Sequence, residues 1–183
     1  MLGGLIKKME IGGSTETKKI NMNAGRMAVV EELEKMDADW RQNGIPDDYR
    51  EKWGVNTNVG LWICGREAAE FLHAEILTRK PVSILELGTS VGYAAVWLGD
   101  AAEQVGAHVT TIEKADFKVQ EAREVLERCN LKNVEVLEAD IDDVLAEWSA
   151  PIDFVFMDAN KRGYLKQFRL LEPYLSEHGV IFW

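Results

Sequence analysis

After Pro81, short apolar runs alternate with stretches of helical period, a pattern that few architectures accommodate. The runs are Val82–Leu87, His108–Ile112, Val134–Leu137, Ile152–Met157 and Val180–Trp183. Between them lie helical patterns over Gly92–Val105, Asp116–Asn130, Asp140–Trp148 and Lys161–Leu171. In the second, Ala122, Val125, Leu126 and Cys129 share one face; in the fourth, Tyr164, Leu165, Phe168 and Leu171 do. A strand that is apolar along its whole length must be covered on both faces, and parallel strands need crossovers about as long as these. The expected fold is therefore α/β: a doubly wound, mostly parallel sheet of five strands with helices on both faces.

Upstream, the chain is different in kind. Residues 1–23 hold two Gly-Gly pairs and a polar Ser-Thr-Glu-Thr-Lys-Lys run without a period, which predicts a flexible extension. Val29, Val30, Leu33, Met36 and Trp40 then recur at helical spacing over Ala24–Trp40, Asn43-Gly44-Ile45-Pro46 ends that helix, and Asp47–Gly54 reads as a short turn. A third helix is expected over Val59–Thr78 with Trp62, Ala69, Leu72 and Ile76 inward. These segments form a helical cap, and residues 24–183 make one domain.

Charge and cysteine content narrow the function. Residues 27–183 carry 16 basic and 29 acidic side chains, a net charge of −13 that repels phosphate backbones, so nucleic acid is not an expected partner. Cys64 and Cys129 lie far apart and predict two reduced thiols in a cytoplasmic protein. No apolar run approaches the roughly 20 residues of a membrane span.

In an open parallel sheet the ligand sits beyond the carboxyl ends of the strands, where strand order reverses. The first strand ends in Glu86-Leu87-Gly88-Thr89-Ser90-Val91-Gly92-Tyr93. Its glycines permit a tight turn and close approach of a ligand, and the following helix offers free N–H groups. Ser90 stands where a dinucleotide fingerprint has its middle glycine, which disfavours a nicotinamide cofactor. Glu113 ends the second strand, 21 residues after Gly92, where a carboxylate either holds ribose hydroxyls or simply leads the next helix. Asp140, after the third, either caps a helix or reaches an adenine. The fourth strand ends in Asp158-Ala159-Asn160-Lys161: a carboxylate that can bind a hard cation and an amine that can take a proton, or a helix cap beside a solvated lysine.

Taken together, ILELGTSVGYAAVWL, VTTIEK, VEVLEAD, DFVFMDANKRGY and LLEPYLSEHGVIFW resemble the class I S-adenosylmethionine-dependent methyltransferases. More narrowly, they are similar to the cation-dependent O-methyltransferases of the catechol and caffeoyl-CoA type, over roughly residues 60–183. The resemblance implies a Rossmann-like fold and an enzyme that methylates a hydroxyl of a small, catechol-like acceptor. It implies cofactor contacts from Glu86, Gly88, Thr89, Ser90, Gly92 and Tyr93, from Glu113 at the ribose, from Asp140 and Ile141 at the adenine, and from Asp158 near the methionine moiety. Asp158 would also be a ligand of a divalent cation such as Mg²⁺, and Lys161 the proton acceptor. Tyr164 fits the pattern with a packing role. The family often has Ser where this chain has Ala94, and an Asp where it has Asn160. Its other cation ligands, an Asp-Asn pair, directly follow the fifth strand, so the resemblance also implies a C-terminally truncated chain that lacks the last strands of the fold. The alternatives are a cation-independent methyltransferase and a non-catalytic cofactor-binding module whose N-terminal helices form a homodimer.

Overall fold

The computed structural model describes residues 20–56 and 59–183. The predicted extension lies mostly outside them; at its end Ile20 and Met22 pack against the core, and the Asn23 side chain accepts from the Gly25 and Arg26 N–H groups to cap the first helix. The elements are α1 (Ala24–Asn43), α2 (Asp47–Trp53), α3 (Arg66–Arg79), β1 (Ser83–Leu87), α4 (Tyr93–Val105), β2 (His108–Glu113), α5 (Asp116–Arg128), β3 (Val134–Glu138), α6 (Ile141–Ala146), β4 (Ile152–Met157), α7 (Tyr164–Leu171) and β5 (Leu175–Phe182), with short 3₁₀ turns at Lys161–Gly163 and Glu172–Tyr174.

All strand pairs are parallel and the order is β3-β2-β1-β4-β5. The chain runs outward in one direction from β1 to β3 and in the other from β4 to β5, so the order reverses between β1 and β4. The period of two along each strand sorts the core. Ile84, Val109, Phe154 and Phe156 pack with Leu98, Leu72 and Ile76 beneath α3 and α4, while Leu85, Leu87, Ile112, Val155 and Met157 pack with Leu145 and Leu171 beneath α6 and α7. Helix α4 is buried on nearly every side, and Trp97 is fully enclosed. Helices α1 and α3 dock on it through a buried ionic knot: Arg26 donates to Asp100 at 2.8 Å, and His73 Nε2 lies 2.9 Å from the other Asp100 oxygen.

Three local expectations are corrected. The third helix begins at Arg66 instead of Val59: Gly65 takes a left-handed φ of 85° and Trp62 one of 52°, which keeps residues 59–65 out of the helix. Trp62 is consequently 65% exposed, and Leu61 fills the core in its place. Leu165 is exposed because α7 turns Gln167 and Leu171 to the core with Tyr164 and Phe168 half-buried beside them, and at 3.6 residues per turn Leu165 lies about 100° around the helix from Tyr164. The fifth strand starts at Leu175, well before Val180. Leu175 pairs with Ile152 and Val180 with Phe154, so a bulge accommodates the polar Ser176–Gly179 stretch that hid the strand from pattern reading.

Candidate active site at the strand switch point

The two glycines of the turn after β1 serve the backbone more than a ligand. Gly88 has φ 99°, and a Cβ there would stand 2.9 Å from the Asp158 carbonyl oxygen; Gly92 has φ 87° and faces Ala122 of α5 at 3.2 Å. The expected close approach is therefore made by β4 and α5. The Gly88 and Thr89 N–H groups donate to the Ile112 carbonyl, and the Asp158 N–H donates to the Leu87 carbonyl at 2.9 Å. The ends of β2, β1 and β4 are thereby laced together.

Glu86 lies under this turn and is fully buried. One of its oxygens accepts from the Thr111 hydroxyl, which is also bonded to Thr89; the other, Oε1, has no hydrogen-bond partner. Burial pushes the carboxyl up to about 8 against the pull of the Thr111 hydrogen bond, with the Asp158 and Glu113 charges pushing it further.

Glu113 ends β2 and is pinned by backbone donors. One oxygen accepts from Ser90 N–H at 3.0 Å, and the other from Lys114 and Ala115 N–H at 2.9 and 3.0 Å. A carboxylate has about four acceptor sites, so capacity remains for hydroxyl donors. Asp140, at the end of β3, caps α6 by accepting from Asp142 N–H, with Ile141 half-buried beside it. Tyr93 is buried against the helical cap, and its hydroxyl donates to Glu34 of α1 at 2.6 Å.

The β4 side is open. Asp158, Asn160 and Lys161 are all exposed. Asp158 nonetheless sits low against the strand ends, and this desolvation lifts its carboxyl to about 6, opposed by the Lys161 ammonium; water on the open side limits the effect. The Asn160 side chain caps the 3₁₀ turn by accepting from Arg162 N–H, and the Tyr164 hydroxyl donates to the Met157 carbonyl at 2.8 Å. Among the described residues no cluster of three or more His, Cys, Asp or Glu could hold a metal, so Asp158 is a lone carboxylate that does not fit a cation site. A surface hollow of about 560 Å³ lined by Asp143, Val144, Glu147, Trp148, Ser149 and Ala150 lies where the chain enters β4, at the opposite edge of the sheet.

Sequence reading missed the segment over this turn and the lysine beneath it. The Leu61 carbonyl accepts from the Ser90 hydroxyl. Cys64 has its thiol pushed well up by burial and by the Asp158 and Glu86 carboxylates. Residues 59–65 thus form a strap across the strand ends. Lys118 Nζ donates to Ser90 Oγ at 2.8 Å and stands 4.0 Å from the centroid of the Trp62 ring. A signal for it existed: Lys118 continues the inward stripe of Ala122, Val125 and Cys129 one turn earlier.

A five-stranded parallel sheet reversing between β1 and β4, with a glycine turn after β1 and a pinned carboxylate after β2, defines a Rossmann-like α/β domain. The family model described as a methyltransferase domain matches residues 85–183, and the chain belongs to that family. An O-methyltransferase, ankF, from Aspergillus thermomutatus is 26% identical over 107 residues, covering 56% of this chain and 45% of its own. The chain thus spans about half the length of that curated relative. Among solved structures, SAH-bound methyltransferase PaMTH1 from Podospora anserina superposes with a TM-score of 0.64 at 25% identity, covering 82% of this chain and 68% of that one. An O-methyltransferase from Bacillus cereus in complex with SAH shares the fold with a TM-score of 0.62 at 24% identity, covering 81% and 62%. None of the helices among the described residues is long and apolar enough to cross a membrane.

Proposed function

We propose that the chain carries out S-adenosylmethionine-dependent O-methylation of a small, hydroxylated, catechol-like acceptor. The observation that carries this reading is the pair of carboxyl groups at the ends of β1 and β2. Glu113 is held by three backbone N–H groups with acceptor sites to spare, and Glu86 Oε1 is buried without a partner. Both are suited to a nucleoside bearing hydroxyls at one end and a cationic amino acid at the other. The family membership and the SAH-bound relative support the choice of cofactor.

When bound, the cofactor supplies an electrophilic methyl group on a sulfonium. The acceptor oxygen forms the new O–C bond as the S–C bond breaks, its electron pair passing to sulfur, and the hydroxyl proton must leave. Lys161, in its free-amine form, takes that proton, and Asp158 beside it orients the acceptor side. The remaining contacts proposed are Gly88, Thr89, Ser90, Gly92 and Tyr93 around the methionine side, and Asp140 and Ile141 at the adenine. The resemblance adds a divalent cation at Asp158, but the described donors do not fit one and no step here depends on it. Cation-independent chemistry is the second reading.

Calorimetry with S-adenosylhomocysteine, followed by mass spectrometry of catechol incubated with S-adenosylmethionine with Mg²⁺ or with a chelator, tests the proposal. Binding and a methylated product are expected, with product lost in Lys161→Met while cofactor binding persists. Binding without turnover of any catechol-like acceptor would leave a cofactor-binding module as the better account. Product formed only with Mg²⁺ would reject the second reading.

A further inference from the structure

Lys118 is only 3% exposed, yet no carboxylate oxygen lies within salt-bridge distance of it among the described residues. Burial of an ammonium is costly without compensation, and the lysine pKa is pulled down to about 8 by that burial, with Glu113 the charge opposing the fall. What surrounds the amine is specific: the Ser90 hydroxyl at 2.8 Å and the face of Trp62 at 4.0 Å.

The hydrogen-bond inventory makes this contact directional. An ammonium only donates, so Ser90 Oγ must accept from Lys118, and its single proton is left for the Leu61 carbonyl. The Ser90 N–H, on the same residue, donates to Glu113 at 3.0 Å. Ser90 itself holds a left-handed φ of 47°, unusual outside glycine, which must be imposed by its surroundings. Trp62, also left-handed at 52°, keeps its ring over the ammonium despite being 65% exposed. One lysine on α5 therefore joins the turn after β1, the carboxylate after β2 and the 59–65 strap.

We propose that Lys118 is a positioning residue of the cofactor pocket: through Ser90 it fixes the turn, the Glu113 carboxylate and the strap carrying Trp62 in the arrangement that receives the nucleoside. This deepens the proposed function and rests on it for the identity of the ligand. The lysine touches neither reacting atom; its effect is preorganisation, so it reads out in cofactor affinity.

The test compares the full chain with Lys118→Met, Lys118→Arg and Ser90→Ala. In ligand-free protein, hydrogen exchange of the amides of residues 60–65 and 90 is expected to quicken at least tenfold in Lys118→Met and Ser90→Ala. Calorimetry is expected to show a tenfold or greater loss of S-adenosylhomocysteine affinity in both, with Lys118→Arg restoring most of it. In turnover of Lys118→Met, KM for S-adenosylmethionine rises while kcat stays within threefold. A Lys118→Met protein that exchanges and binds like the wild type overturns the proposal, as does one that loses thermal stability with no change in affinity at a temperature where it is folded. Should Lys118→Met fail to fold, Lys118→Gln decides by the same criteria. A wild-type chain that does not bind S-adenosylhomocysteine defeats the proposed function and the cofactor part of this inference together; quickened exchange in the variants would still uphold the clamp on the strap.

Discussion

The two halves of the strand-end crevice are built on opposite plans. On the β1–β2 side, two hydrogen-bonded sets, Glu86–Thr111–Thr89 and Glu113–Ser90–Lys118, meet at the Thr89–Ser90 peptide and are mostly buried. On the β4 side, Asp158 and Lys161 stand exposed, and the nearest fixed group, Asn160, is occupied with its own turn. Under the proposed function, a cofactor that is the same in every turnover is served by a preformed half, because ordering done during folding need not be repeated on binding. An acceptor that must enter and leave is served by an open one.

That contrast can be broken at its strongest point first. Gly88→Val forces a side chain against the Asp158 backbone in a left-handed conformation, and we expect about 3 kcal/mol of destabilisation in urea unfolding together with loss of S-adenosylhomocysteine binding. A variant that folds and binds normally would show that the lacing of β1 to β4 is dispensable.

Glu113→Ala removes the acceptor of three backbone N–H groups. Hydrogen bonds to a charged acceptor are each worth more than neutral ones, and replacement by water tempers the loss, so about 2 kcal/mol of stability and a larger share of cofactor affinity should go. Equal losses in Asp158→Ala would erase the distinction between the halves.

The pH dependence sharpens the same comparison and is the smallest effect. Glu86 has a carboxyl raised from its ordinary 4.5 to about 8, so between those values the folded state binds a proton that the unfolded state has released. Its contribution to stability is therefore full below about 4.5, falls as pH rises towards about 8 and is level above that. Asp158, raised from 3.8 to about 6, contributes in the same sense over a lower and narrower range, weakened by solvent. Chemical denaturation across pH 5–8.5 should show Glu86→Gln flattening the decline more than Asp158→Asn does.

Much of this arrangement was legible in the residues. The five runs emerge as five parallel strands, and Glu86, Glu113, Asp140 and Asp158 fall at or just beyond strand ends, because period and burial are local properties that a packed sheet preserves. The pattern failed where a neighbour outweighed it. Trp62 reads as an inward helical residue, but its segment lies against the turn after β1 as an irregular strap; Leu165 reads as part of the inward stripe, but α7 turns Gln167 and Leu171 to the core; Lys118 carries no motif of its own, because its partners Ser90 and Trp62 come from segments far away in sequence.

The sequence by itself determined the alternation of strands and helices, and with it a doubly wound sheet whose acidic residues gather at one edge. Only the tertiary structure decided that strand order reverses between β1 and β4, that Gly88 yields its space to the β4 backbone, and that Ser90 is clamped between Lys118 and Leu61. The physical reason is range. Periodicity records what each residue must hide from water, whereas the direction of a hydrogen bond and the pKa of a buried group depend on atoms delivered by other parts of the chain.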